Sequence, residues 1–347
     1  MKLRVLVADD SPLARAMLRE ILESDPDIAV VGEARDGREA VDLAHALSPD
    51  IVTMDLRMPV LDGIGAITEI MATKPLPILV VSSASDAEDA YVAVQRGALE
   101  TLAKPDLSAK ARSELVAKVR TLAQSRVLTH LRPGKAPGPD ATYRGTWSPA
   151  TTAGEPAKNP TFAIASSTGG PQALARILSA LPADFPCPVL IAQHISDGFA
   201  PGLVQWLSTV SKLRVRLAVG GETPLPGEVF VSPSECNLSL SPAHRLALVQ
   251  ATDRQIFHPV CDVLFSSVAT ACGRRSVGII LTWMSEDGVR GIEAIWQAGG
   301  RTIAQDESSS VVFGMNKLAI ERGSVSKVLP LDEIPAAMRR LAEGLEA

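Results

Sequence analysis

Two α/β domains in tandem are what this sequence of 347 residues predicts. Three observations carry that expectation. Short apolar runs alternate with amphipathic stretches along most of the chain, as strands alternate with helices. The alternation stops over residues 126–160, which hold six prolines and four glycines and no apolar periodicity, so this segment reads as a flexible linker. The length suffices for about two cores. The expected plan is a first domain over residues 1–125, the linker over 126–160 and a second domain over 161–347.

In the first domain LRVLVA reads as a strand, LARAMLREIL as a helix, IAVVGEA as a strand, GREAVDLAHAL as a helix and DIVTMDL as a strand. IGAITEIMA, PILVVSS, a helical stretch from Ala87 to Arg96, LETLAK and a closing helix to about Ser125 complete five strand and helix units. Such a set forms an open parallel sheet with helices on both faces, and its functional crevice lies beyond the carboxyl ends of the strands. From Thr161 the alternation resumes through PVLIAQ, LVQWLSTV, RVRLAV, GEVFVS, NLSL and RLALVQ. A helix near Val260 to Ala271, SVGIILTW, GIEAIWQA, RTIAQ and a final helix follow. A second doubly wound α/β domain is expected, with a mixed sheet in its middle, where short strands follow one another without helices.

Apolar residues make up 46% and charged residues 21%, the balance of a globular chain. A net charge of -5 argues against a broad nucleic-acid surface, which needs clustered Lys and Arg. The N-terminal apolar run meets Asp9 and Asp10 too soon for a signal peptide or a spanning helix, so a cytoplasmic protein without membrane insertion is expected. Cys187, Cys236, Cys261 and Cys272 lie far apart without metal-finger spacing and read as small buried hydrophobes.

Asp9 and Asp10 follow the first strand, Asp55 ends the third, Ser82 and Ser83 end the fourth, and Lys104 precedes Pro105 at the end of the fifth. In a parallel sheet these positions share one edge. Any one acid alone could cap a helix, but the set at matching strand ends asks for more. Three carboxylates in one crevice repel one another, and a hard divalent cation is the natural way to hold them. A lysine and a serine hydroxyl could then bind oxygens of a group transferred onto one carboxylate. Through VADDS, TMDLRMPVLDG, VVSSAS and AKP, residues 1–125 closely resemble response-regulator receiver domains of flavodoxin-like (βα)5 fold. The resemblance implies that Asp55 accepts phosphate from a histidine kinase and that Asp9 and Asp10, with Asp55, bind Mg2+. It also implies that Ser82 senses the phosphoryl group and Lys104 pairs with it.

The stretch 161-TFAIASSTGGPQALARIL-178 runs an apolar strand into two serines, a threonine and two glycines before an amphipathic helix. Phosphate-binding loops use such turns, but neither a Gly-x-x-x-x-Gly-Lys nor a Gly-x-Gly-x-x-Gly frame is present. A nucleophilic serine instead requires a histidine and an acid at other strand ends. Of five histidines, His45 sits on a helix of the first domain, His130 in the linker and His244 between short strands. His258 precedes a proline at a helix entrance, whereas His194 directly follows PVLIAQ. Asp287 follows SVGIILTW in LTWMSEDG, where its other reading is a helix N-cap. Serine, His194 and Asp287 supply the parts of a nucleophile, base and orienter triad. Backbone N–H groups of the turn and the helix start could hold an oxyanion, and Gly169 and Gly170 would let substrate come close.

Residues 161–347 resemble the catalytic domain of the chemotaxis protein-glutamate methylesterases, through ASSTGGPQAL, AQHISDGF, PGEVFVSP, HPVCDVLF, LTWMSEDGVRG and FGMNKLAI. The resemblance implies Ser167 as nucleophile, His194 as general base, Asp287 as orienting acid and the Met284 amide in the oxyanion site. Ser166 would be supporting structure, and Thr168 could add a hydrogen bond. Trp283 and Ser285 replace two glycines of the family's pattern around the acid, Ala165 replaces a glycine before the nucleophile, and Asn316 replaces a proline. The implied activity is phosphorylation-regulated hydrolysis of glutamate methyl esters on chemoreceptors, with deamidation of receptor glutamines. Ester hydrolysis would need no cofactor, and the implied partners are the chemoreceptors and a histidine kinase. The Trp283 and Ser285 changes motivate a rival: a phosphorylation-controlled receptor-binding protein with weak or lost catalysis.

Overall fold

The computed structural model describes residues 2–106, 108–125, 159–250, 259–282 and 286–344, so most of the expected linker lies outside the described residues. The first domain runs β1 (Leu3–Ala8), α1 (Pro12–Glu23), β2 (Ile28–Ala34), α2 (Gly37–Leu47), β3 (Ile51–Met54), α3 (Gly63–Thr73), β4 (Ile78–Ser82), α4 (Ala87–Gln95), β5 (Glu100–Ala103) and α5 (Ala109–Ala123). Local chemistry starts its helices. Ser11, Asp36, Asp62 and Ser108 each accept a backbone N–H of the first turn, and Pro12 opens α1 where no N–H is needed. The strands pair in parallel in the order β2-β1-β3-β4-β5, which brings the ends of β1, β3, β4 and β5 to one edge.

The second domain runs β6 (Thr161–Ser166), α6 (Gly170–Ala180), β7 (Val189–Gln193), α7 (Ala200–Val210), β8 (Arg214–Leu217), β9 (Glu228–Val231), β10 (Cys236–Leu240), β11 (Leu246–Gln250) and α8 (Cys261–Cys272). It continues with β12 (Ser276–Ile280), α9 (Val289–Gln297), β13 (Arg301–Gln305), α10 (Met315–Glu321), β14 (Lys327–Leu329) and α11 (Ile334–Ala342). Seven strands pair in parallel in the order β14-β13-β12-β6-β7-β9-β8. The expected mixed middle is therefore corrected. The antiparallel pair β10-β11 forms its own small sheet, and the helix-free connection from β8 to β9 still returns the chain in the same direction.

β6 is buried along its whole length between β7 and β12, and its alternate side chains serve two cores. Phe162 and Ile164 share a cluster with Leu174, Ile177 and Leu178 of α6, while Ala163 and Ala165 share one with Leu264 and Phe265 of α8. The chain leaves β6 toward β7 on one side and returns to β12 on the other. This switch point opens a crevice at the carboxyl edge.

α8 and α9 pack closely because Gly291 has no side chain: a Cβ there would lie 2.6 Å from the Phe265 Cβ and 3.0 Å from the Asp262 Cα. Gly291→Val should destabilise the second domain toward the upper end of the roughly 1–3 kcal/mol typical of over-packing. The expected reading is a lowered urea midpoint, and an unchanged midpoint would contradict the close approach.

Candidate active site

β6 and β7 run in register with Ser166 opposite Gln193, so Ser167 and His194 leave the sheet edge side by side. The His194 amide donates to the Ser166 carbonyl at 2.9 Å. The two serines differ in their partners. The Ser166 hydroxyl donates to Gln193 Oε1 at 2.6 Å, which commits it to the buried frame. Gln193 Nε2 donates to the carbonyls of Ser167 at 2.9 Å and His194 at 2.8 Å, so one buried amide ties both turns together. Any side chain at Gly170 would collide with this amide, its Cβ falling 2.1 Å from Gln193 Oε1. Gly169 takes a left-handed φ of 77°, which lets the chain bend into α6 immediately after the serines.

Asp287 meets His194 from the loop after β12, with Nε2 and Oδ2 2.9 Å apart. The same carboxylate accepts the first two N–H groups of α8, from Cys261 at 2.8 Å and Asp262 at 3.0 Å. It thus lies at a helix N-terminus, where negative charge is favoured. Burial pushes the Asp287 carboxyl upward, but the bonds from His194, Cys261 and Asp262 outweigh it and hold it below the usual carboxylate range. Burial lowers the His194 pKa against the pull of Asp287. The pair is an ionised carboxylate beside a neutral imidazole. With the proton on Nε2, as the hydrogen bond assigns it, the lone pair sits on Nδ1.

Asp287 caps α8 rather than its own helix, which Gly288 opens at a φ of 100°. Asp262 returns the contact: its Oδ1 accepts Gly288 N at 2.9 Å and Gly291 N at 2.7 Å, and its Oδ2 accepts Arg290 Nε at 3.0 Å. Each acid holds the start of the other's helix. Sequence reasoning singled out neither Asp262 nor Gln193. Their only signals were an acid in the first turn of a helix and a polar residue closing an apolar strand. Trp283, Met284 and Ser285 lie outside the described residues, as do His130 and His258, so the expected Met284 amide is not placed. His45 Nε2 lies 3.0 Å from Thr73 Oγ1, and His244 occupies the β10-β11 turn, so neither joins Ser167 and Asp287. Asn316 is buried, its Nδ2 donating to the Gln305 carbonyl at 2.7 Å.

At the edge of the first sheet, carboxylate oxygens of Asp9, Asp10 and Asp55 lie within 4.8 Å of one another. Lys104 Nζ reaches Asp9 at 2.8 Å and Asp55 at 3.1 Å. Burial and the neighbouring Asp9 raise the Asp55 pKa, a like-charge strain that a cation with oxygen ligands would relieve, so the residues fit Mg2+. The Ser82 hydroxyl points to Asp86 Oδ2 at 3.0 Å, an acid also held by Ser83 at 2.5 Å and Arg57 at 3.0 Å.

A family model described as CheB methylesterase matches residues 162–338, and one described as response regulator receiver domain matches residues 5–120. The chain belongs to the CheB methylesterase family. It is 49% identical to a protein-glutamate methylesterase/protein-glutamine glutaminase of Paramagnetospirillum magneticum, over 97% of this chain and 95% of that protein. It is 42% identical to another of that description from Anaeromyxobacter dehalogenans, over 98% and 97% of the two chains. The crystal structure of the Thermotoga maritima CheB methylesterase catalytic domain is 34% identical with a TM-score of 0.51, covering 53% of this chain and 98% of that one.

The receiver domain packs on the same edge of the methylesterase domain that carries the serine. Thr168 Oγ1 donates across the boundary to Glu100 Oε2 at 2.7 Å, and Glu100 also pairs with Lys118 of α5. The Thr168 hydroxyl is thereby turned toward the receiver. Gln172 Nε2 donates to the Ala98 carbonyl at 2.8 Å, and the Ala103 amide donates to Ser196 Oγ at 3.3 Å. α4 lies against α7, where Tyr91 stacks on Trp206 with centroids 5.9 Å apart. In this arrangement Ser167, Thr168 and His194 are only 8%, 3% and 7% exposed.

A base that works as the neutral imidazole loses its lone pair when protonated. The kcat/KM for an ester substrate should therefore be level near neutrality and fall as the pH drops through the His194 pKa, below its ordinary 6.5. A midpoint at or above 6.5 would contradict this charge assignment.

Proposed function

We propose that this chain hydrolyses glutamate methyl esters on chemoreceptor helices, deamidates receptor glutamines, and does both under control of receiver phosphorylation. One observation carries the hydrolytic reading: a neutral imidazole, held by an ionised and helix-capping carboxylate, emerges beside Ser167 at a sheet edge. The relatives' shared description, methylesterase and glutaminase, supports the substrate class.

In this mechanism the Ser167 oxygen attacks the ester carbonyl carbon while His194 Nδ1 takes the hydroxyl proton. Asp287 stabilises the resulting imidazolium and keeps the ring oriented. N–H groups of the turn after Ser167 are the candidate donors to the oxyanion, and the family resemblance adds the Met284 amide. The imidazolium then gives its proton to the departing methoxy group, which leaves as methanol, or to the amide nitrogen of glutamine, which leaves as ammonia. His194 next deprotonates a water that cleaves the acyl-serine bond, and the product is a glutamate side chain.

Asp55 is the proposed phosphoryl acceptor from a histidine kinase, with Asp9, Asp10 and Asp55 as ligands for Mg2+, which would offset the charge of the incoming group. Lys104 and Ser82 would bind phosphoryl oxygens. Ser82 would have to leave Asp86, which immediately precedes α4, the helix that packs on α7. A receiver state with weaker affinity for the catalytic edge would uncover Ser167. We place the protein in the cytoplasm, in keeping with described helices none of which is long and apolar enough to cross a membrane. Its partners would be chemoreceptors and the phosphodonor kinase, not nucleic acid.

Methanol release from membranes bearing methylated receptors tests the reading. Ser167→Ala should lower it by several orders of magnitude with the fold retained. Ser166→Ala, which removes one buried hydrogen bond worth about 0.5–1.5 kcal/mol, should stay within about tenfold of the wild type. A folded Ser167→Ala chain with wild-type release overturns the serine mechanism, and no release from the wild type favours the pure binding protein.

A further inference from the structure

The hydrolytic mechanism leaves one side chain beside the triad unused. Cys261 is fully buried at the first position of α8, and its sulfur faces the carbonyls of Ala192 at 3.5 Å and Pro259 at 3.9 Å. A ring nitrogen of His194, the Cys261 sulfur and a carboxylate oxygen of Asp287 all lie within 4.8 Å of one another. A tetrahedral Zn2+ with ligands at about 2.0–2.3 Å sets its donor atoms roughly 3.2–3.6 Å apart, so the His194–Asp287 pair, now at 2.9 Å, would open slightly while the Cys261 sulfur draws in by up to about an ångström. Imidazole, thiolate and carboxylate are the donor types that Zn2+ takes, whereas the three carboxylates of the receiver suit a hard cation. The ligands are also oriented from behind. Two helix N–H groups hold the Asp287 carboxylate, and Gln193 holds the His194 carbonyl.

We propose that His194, Cys261 and Asp287 form an inhibitory site for a soft divalent cation of the Zn2+ class. The cation would take the place of the proton between His194 Nε2 and Asp287 Oδ2 and bind the Cys261 sulfur as thiolate. The thiol proton leaves to solvent, and the imidazole keeps its single proton by moving it from Nε2 to Nδ1. One dication, one thiolate and one carboxylate then sum to zero charge, which suits a buried position. Inhibition follows from the tautomer, because an Nδ1 that carries a proton cannot accept one from Ser167. This last step rests on the triad reading, while binding of the cation does not.

The experiment uses the full-length protein in excess Mg2+, which fills the receiver's oxygen site, with Co2+ as a spectroscopic stand-in for Zn2+. Expected are a thiolate-to-cobalt charge-transfer band that saturates at one equivalent, its loss on adding Zn2+, and methanol release that falls with metal occupancy and returns with a chelator. Cys261→Ala should lose the band and bind at least about tenfold more weakly. Cys261→Val, which fills similar space without sulfur, carries the test if the alanine chain fails to fold. Absence of the band in the wild type, or its persistence in the Cys261 variants, which would place cobalt on another cysteine, overturns the site. Full occupancy with unchanged methanol release overturns the inhibition. Ser167→Ala should keep the band, so a failed metal site and a failed serine mechanism give different results.

Discussion

The Asp287 carboxylate is the constraint on which the catalytic half depends. A buried ionised carboxylate costs several kcal/mol in lost hydration unless it is fully bonded. Here it accepts from His194 and from two N–H groups at the start of α8, and charge-assisted bonds of this kind contribute about 1.5–3 kcal/mol each. The arrangement needs α8 and the loop after β12 in fixed relation. Asp262 provides it by binding the start of α9 from the other side, and Gly291 lets the two helices approach. The charge that orients the imidazole is therefore part of the packing of two helices, and it leaves the lone pair on Nδ1, the nitrogen that takes the Ser167 proton in the proposed mechanism.

What the sequence disclosed and what it hid follow from the same physics. Apolar runs closed by polar residues made the strand ends legible, and the positions of Ser167, His194 and Asp287 beyond β6, β7 and β12 were read that way. So were Asp9, Asp55 and Lys104, whose shared edge follows from parallel strand order. Strand direction leaves no mark in an apolar pattern, which is why a separate hairpin and a helix-free parallel return read as one mixed sheet. β14 has three residues and α10 seven, too few for a period to register. Gln193 and Asp262 act through backbone groups, many of them distant in sequence, so their side chains alone announced nothing.

The domain boundary was the least legible feature. α4 and α7 read as ordinary helices, yet they meet face to face and bury Tyr91 against Trp206. Glu100 sits within β5 with its carboxylate shared between Lys118 behind it and Thr168 in front. A carboxylate so placed is costly if either partner withdraws, which gives the closed arrangement a sharp optimum. On the proposed mechanism, phosphorylation need only weaken a handful of such contacts, because Asp86, which Ser82 holds, lies directly before the helix that forms the interface.

A nucleophilic Ser167 and a receiver that covers it are the two halves of the proposed mechanism, and one measurement addresses both: the rate at which a small phosphonofluoridate labels Ser167, located by peptide mapping. The account predicts stoichiometric label on Ser167, formed faster when a small phosphodonor and Mg2+ are present, with no acceleration in Asp55→Asn. Label on Ser166, or a Ser167 rate indifferent to the phosphodonor, would contradict it.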